Sequence, residues 1–227
     1  MILSGKRKIF HIALCMLLPA LLNSYAWDLK QLSNSRRNYL TGHEKPQAAI
    51  FTFGTDATND TLHQFKLKTL KGKTIHFTEL KNNKASLIVF LSPDCPLSQK
   101  YTLPIREYQE KYAAKGIKTY LVIPGTYYSK KVIREYVKTY KLDFPVLLDK
   151  DLRLARFMKA SAVPEFFLTS PQASVIYSGK FDNWYESLGK NRVVITEKYL
   201  ENATDAFLEG TPVRTSKTEP VGCIIQY

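Results

Sequence analysis

The chain has 227 residues, 44% of them hydrophobic and 12% aromatic, with three cysteines and a formal net charge of +13. That length fits one domain with extensions better than two full domains, and that apolar content excludes global disorder. The charge is compatible with acidic partners, anionic lipid or nucleic acid. It is spread widely, however, its densest set, "YYSKKVIREYVKTYK", fits the solvent face of one helix, and no nucleic-acid motif accompanies it, so no nucleic-acid partner is expected.

The elements follow in chain order. Residues 1–26 read as a secretory signal peptide: Lys6, Arg7 and Lys8 precede the short apolar run 9–22, and Ser24 and Ala26 are spaced for cleavage after Ala26. The run is short for a membrane span, and a lipoprotein reading through Cys15 is opposed by the bulky Leu14. Cleavage removes three basic residues and no acid, leaving +10 and two cysteines, Cys95 and Cys223, on residues 27–227. The mature protein is then exported, periplasmic or secreted, with no membrane span. Residues 27–60 are an N-terminal extension of unclear pattern.

In "HQFKLKTLKGKTIHFTEL" two alternating runs flank Lys71-Gly72, which predicts a β-hairpin. "ASLIVFL" is a continuous branched apolar run, a buried central strand. Helical spacing of Ile105, Tyr108 and Tyr112 predicts a helix from Pro96 to about Lys115, kinked at Pro104. "IKTYLVIP" is a strand, and "SKKVIREYVKTYK" a helix with Ser129 as N-cap. "FPVLLD" is a short extended segment and "DLRLARFMK" a short helix. "EFFLTS" and "SVIYSG" are strands around the turn "PQA", and "TEKYLENATDAFLEG" is a last helix capped by Thr196 and stopped by Gly210. Strand–helix–strand alternation requires a parallel pair with a right-handed crossover, and the closing hairpin adds antiparallel strands. The fold class is therefore α/β, a mixed central sheet flanked by helices. The domain spans 61–210, and a C-terminal tail, 211–227, carries Cys223.

Cys95 follows the central strand and precedes Pro96, a residue suited to the first helical position. As N-cap, its sulfur would meet the free amides and positive end of a helix, which favour a reactive thiolate, while the adjacent Asp94 opposes this. The bland alternative is a buried structural thiol. A strand-to-helix loop is where reactive groups are usually displayed, so a partly exposed nucleophile is expected.

The stretch "LIVFLSPDCPLSQKY" resembles the active-site stretch of the thioredoxin-like superfamily, and in particular the exported redoxins near the AhpC/TSA peroxiredoxins and the TlpA/ResA-type thiol–disulfide oxidoreductases. "SAVPEFFL" resembles that family's second signature, which implies a cis peptide at Pro164 facing Cys95, in a loop that pairs with the substrate chain. "YSGKFDNWYESLGKNR" and "LENATDAFLEGTPV…PVGC" resemble its C-terminal part, so the likeness covers about 61–224. It implies a thioredoxin-like fold and a thiol–disulfide oxidoreductase acting on protein thiols or disulfides, or on a small thiol reductant, without cofactor. Ser98 stands where the family has a second cysteine, so a local dithiol couple is impossible.

Two alternatives stay open. One is a thiol-dependent peroxidase with peroxide as substrate; Ser92 fits that pattern, but Ile88 stands where a proline belongs, and an arginine would have to come from Arg134, Arg153 or Arg156. The other is a non-catalytic redoxin fold used for binding. The histidines after residue 26, His43, His63 and His76, are scattered, and no metal site is expected. Cys223 is either the resolving thiol that Ser98 cannot be, or a small apolar anchor of the tail, or a bridge to another chain. Gly222 is read as backbone freedom that lets its sulfur approach.

Overall fold

The computed structural model describes residues 61–227; the signal peptide expected over 1–26 and the extension expected over 27–60 lie outside the described residues. A seven-stranded mixed sheet runs through the domain in the order β2-β1-β5-β4-β3-β7-β8. Its central strand β3 (Ala85–Phe90) is buried throughout, as its unbroken apolar run requires. It pairs in parallel with β4 (Ile117–Pro124), which pairs in parallel with β5 (Val146–Asp149). On the other side β3 meets β7 (Glu165–Thr169), which turns back antiparallel into β8 (Val175–Gly179). The N-terminal hairpin, β1 (Lys66–Thr69) and β2 (Thr74–His76), joins antiparallel to β5. Gly72, at φ +92°, makes its turn, a conformation costly for residues with a Cβ.

The period of two sorts the strand residues into two cores. Leu87, Val89 and Leu91 of the central run pack with Leu121, Ile123, Phe166 and the helix residues Ile105, Tyr108 and Tyr112. Ile88 and Phe90 pack on the opposite face with Tyr120, Val122, Phe167, Leu154 and Cys95. Helices therefore cover both faces, and the architecture is thioredoxin-like.

Five α-helices follow in order: α1 (Pro96–Lys100), α2 (Thr102–Ala113), α3 (Lys130–Thr139), α4 (Arg153–Met158) and α5 (Tyr199–Glu209). The single helix expected from Pro96 is interrupted at Tyr101, not at Pro104. A proline ring clashes with the carbonyl four residues back, here Lys100, so the break falls upstream of the proline itself. Tyr101 then turns inward, its ring against Phe166, Phe181 and Trp184, and its hydroxyl donates to the buried Asp182 at 2.7 Å. Ser129 caps α3 as its residue type predicts, accepting from Val132 N. Thr196 does not cap α5, whose N-cap is Lys198; its hydroxyl instead accepts from Asn183 Nδ2 at 2.7 Å.

The tail is stitched to the domain at two places. Its root, Ser216–Thr218, lies along β8: Ser178 N donates to Ser216 O at 3.0 Å and Thr218 N to Ser178 O at 2.9 Å. Further on, the two-residue strand β11 (Cys223–Ile224) pairs antiparallel with β6 (Ala162–Val163), and Ile225 N donates to Ser161 O at 2.9 Å. A small hairpin, β9 (Tyr185–Ser187) with β10 (Lys190–Asn191), lies between β8 and α5 in sequence.

Candidate active site

Cys95 is the N-cap residue of α1, with Pro96 in the first turn. Its carbonyl accepts the first helical bond, from Gln99 N at 3.0 Å. The side chain caps nothing and turns toward the loop before β7. There Cys95 Sγ donates to Val163 O at 3.1 Å. The Val163–Pro164 peptide is cis.

The register of β11 on β6 sets Cys223 opposite Val163. Successive side chains of a strand point to opposite sides. Ile224 faces outward and is 82% exposed, while Cys223 and Ile225 point in. The Cys223 sulfur consequently lies 2.6 Å from that of Cys95, both as free thiols, with Cys223 donating. The structure thus brings together three of the four residues singled out by sequence. Burial pushes the Cys223 thiol up, and the neighbouring Cys95 sulfur and Asp94 carboxylate push the same way, to about 12. Cys223 holds its proton and presents it to Cys95.

Cys95 is only 1% exposed, which corrects the expectation of a partly open thiol. It belongs to the apolar cluster with Phe90, Leu97, Tyr120 and Val163, and its sulfur lies against that of Cys223 in the tail. Gly222 also has a different role from the one expected. A Cβ there would lie 2.1 Å from Val163 O and 2.6 Å from Val163 C, so its need is close approach of two backbones.

The fourth residue, Ser98, is wholly buried and engaged elsewhere. Its hydroxyl accepts from Ser92 N at 3.2 Å, closing the loop that carries Cys95. The Asp94 carboxylate is engaged beside this loop: its Oδ1 accepts from Ser92 Oγ at 3.1 Å and from the Tyr128 hydroxyl. Beside them is a cavity of about 300 Å³ lined by Asp94, Tyr127, Tyr128, Leu152, Cys223 and Ile225.

Glu165 was not found by sequence. Buried directly after Pro164, its Oε2 accepts from Ser161 N at 2.7 Å and Ala162 N at 3.2 Å, which fixes the strand that β11 joins. Burial raises its pKa against the lowering effect of those donors. The one sequence signal was its position, a charged residue opening an otherwise apolar strand.

The three arginines considered for a peroxide site do not reach the sulfur: among the described residues, the hydrogen-bond partners of Cys95 Sγ are Val163 O and Cys223. Arg153 stacks on Phe65 and Arg156 on Tyr227. His63 bonds Pro171 O, and no group of three or more potential ligands among the described residues is placed to hold a metal ion. No helix among the described residues is long and apolar enough to cross a membrane.

Fold and site together define a thioredoxin-like redoxin. The AhpC/TSA family model matches residues 58–178, more than half of the chain, and the chain belongs to that family. It is 28% identical over 124 residues to the thiol-disulfide oxidoreductase ResA of Bacillus subtilis, covering 54% of this chain and 64% of that protein. It is 26% identical over 168 residues to ResA of Bacillus thuringiensis subsp. konkukian, covering 74% and 85%. A crystal structure of a hypothetical protein from Sinorhizobium meliloti 1021 superposes with a TM-score of 0.64 at 27% identity, over 72% of this chain and 90% of that one. The family match ends before the tail, so Cys223 lies outside it.

Proposed function

We propose that the protein is an exported thiol–disulfide oxidoreductase of the cell envelope, with Cys95 as nucleophile and Cys223 as the resolving thiol. The observation that carries this reading is the 2.6 Å approach of the two sulfurs across the β6–β11 pairing. The ResA relatives support the reaction class, and the signal-like residues 1–26 support export.

In the reductive direction the Cys95 thiolate attacks one sulfur of a partner protein's disulfide. That S–S bond breaks, a Cys95–partner mixed disulfide forms, and the partner's other sulfur leaves as thiolate. Cys223 then loses its proton, attacks the Cys95 sulfur and expels the partner's second thiolate. The partner gains two electrons and the Cys95–Cys223 pair loses two; a dithiol, or two small thiols, restores it. The oxidative direction is the reverse. Burial, the largest influence on the Cys223 thiol, holds its proton in place, so rising pH favours the resolving step.

The test is reduction of a protein disulfide by the wild-type chain, Cys95→Ser and Cys223→Ser with dithiothreitol as reductant, alongside non-reducing digestion of the oxidised wild type. A Cys95–Cys223 peptide is expected, with loss of turnover in Cys95→Ser and accumulation of a mixed disulfide in Cys223→Ser. Full turnover in Cys95→Ser overturns the reading.

A further inference from the structure

The two sulfurs are unequally open. Cys95 is 1% exposed, in the apolar cluster with Phe90, Leu97 and Val163. Cys223 is half-buried and lines the cavity of about 300 Å³, which Cys95 does not. The arm of the tail beyond its root is held there by the two-residue β6 pairing, the Ile225–Ser161 bond and the Tyr227 hydroxyl on Ala160 O. A Cys95–Cys223 disulfide ties the arm in the same place, so the inequality persists in the oxidised chain. Exchange at a disulfide depends on which of its sulfurs an incoming thiolate can reach.

We propose that electrons enter the oxidised chain through this cavity, at Cys223, from a small thiol that carries a positive charge. The proposal rests on the Cys95–Cys223 disulfide of the previous section and adds the site and chemical class of its reductant. The incoming thiolate bonds to Cys223 Sγ, the Cys95–Cys223 bond breaks, and Cys95 leaves as thiolate and takes a proton from water. A second thiolate attacks the small-thiol sulfur, Cys223 leaves and takes a proton, and the two small thiols depart as one disulfide. The chain gains two electrons and two thiols lose one each.

Three features carry it. The first is size: the cavity stands at the lower end of the roughly 300–1,000 Å³ of ligand sites, which suits a small molecule. The second is charge. Among the lining residues Pro124, Leu152 and Ile225 are apolar, and Asp94 is the one charged residue. Ser92 Oγ and the Tyr128 hydroxyl both donate to its Oδ1, which fixes the carboxylate at the wall. A bare thiolate approaching Cys223 is repelled by that carboxylate, and an ammonium on the same small molecule offsets the repulsion. The net charge of +10 on residues 27–227 attracts anions from a distance, but that attraction is screened beyond roughly 8–10 Å at physiological salt, so Asp94 decides at contact. The third is the leaving group. Burial first, then the Cys95 sulfur and Asp94, push the Cys223 thiol up to about 12. Expelling Cys223 is therefore the slow second step, and the small thiol stays on it long enough to be trapped.

The test uses the oxidised full chain with cysteamine, and with uncharged mercaptoethanol for comparison. Samples are quenched at successive times with acid and N-ethylmaleimide, then digested for mass spectrometry. The first cysteamine adduct is expected on Cys223, with maleimide on Cys95. A first adduct on Cys95, with maleimide on Cys223, overturns entry at Cys223. The second readout is the ratio of the cysteamine rate to the mercaptoethanol rate, each per thiolate, in wild type and in Asp94→Asn. The asparagine keeps an acceptor for Ser92 and Tyr128, and any change it makes to Cys223 itself acts on both thiols and cancels in the ratio. The ratio is expected to fall about threefold, the size of an exposed ion pair's contribution. An unchanged ratio overturns the selection of a positive charge. Absence of a Cys95–Cys223 peptide from the oxidised starting material overturns the resolving reading beneath the proposal instead.

Discussion

Ser98 and Glu165 show how single side chains hold the reactive geometry without touching sulfur. The Ser98 hydroxyl gives the buried Ser92 N–H its acceptor. Removing a partner from a buried donor costs about 1–3 kcal/mol. Ser98→Ala is therefore expected to lose about that much stability in urea denaturation while keeping the Cys95–Cys223 disulfide; an unchanged midpoint would show the bond to be idle. Glu165 holds the amides of Ser161 and Ala162, and burial, the largest influence on it, raises its pKa. The folded chain then binds that proton more tightly than the unfolded chain, so this group's contribution is present at low pH and is lost as pH rises from the ordinary glutamate range through the raised value. Glu165→Gln keeps an acceptor oxygen but cannot titrate, so its unfolding free energy should fall less than wild type over that interval, read by denaturation at successive pH values. Parallel pH profiles for the two proteins would remove Glu165 from the account. The place of Cys95 at the head of a helix could be read from sequence because strand, cysteine and proline are contiguous, whereas the use of Ser98 as acceptor for Ser92 N was not legible there. Glu165 could not, because its role exists only once Ser161 and Ala162 bend back onto it.

At the scale of elements, the long apolar strands and helices were legible because their period is local. β3, β4, β7 and β8 follow their branched runs, and α3 follows its cap and spacing. β6 and β11 were not, since each is two residues long and defined only by a partner some 60 positions away in the chain. The burial of Cys95 went unread for the same reason: Val163 and Cys223, which lie against its sulfur, are 68 and 128 positions away in the chain. The tail root depends on another close approach. Gly179 has φ +126°, and a Cβ there would lie 2.1 Å from Thr218 O. Gly179→Ala is expected to push the root off β8 in addition to straining its own backbone, a cost on the order of 1–3 kcal/mol for the strain alone. Hydrogen exchange should then speed up at Thr218 N and Ile225 N, which lose their acceptors Ser178 O and Ser161 O, and stay slow in β3 and β4. Faster exchange confined to Gly179 and its neighbours would mean that root and arm are held independently.

Over the whole molecule, the Cys95–Cys223 contact joins the first helix after the central strand to the end of the chain, 128 positions apart. In the chain-entropy model a disulfide across so long a loop removes roughly 4–5 kcal/mol of freedom from the unfolded chain, less any strain. The reduced chain has no such constraint, and its arm is held by a short β-pairing and one buried isoleucine. Oxidation should therefore raise the unfolding free energy by an amount approaching that figure, and it should do so mostly through the unfolded state, because the folded arm already sits where the bond requires it. The comparison to make is guanidinium denaturation of the oxidised chain against the reduced chain and against Cys95→Ser/Cys223→Ser, with and without dithiothreitol. The oxidised chain is expected to be the most stable and to fall to the level of the double variant when reductant is added, while the double variant ignores reductant. A shallower dependence on denaturant in the oxidised chain should accompany this, since a cross-linked unfolded state exposes less surface. Equal stability of the oxidised and reduced chains would mean that the bond strains the domain as much as it restrains the unfolded chain. In that case the oxidised form would carry no thermodynamic advantage from folding, and the tail would donate its electrons at no cost to the domain.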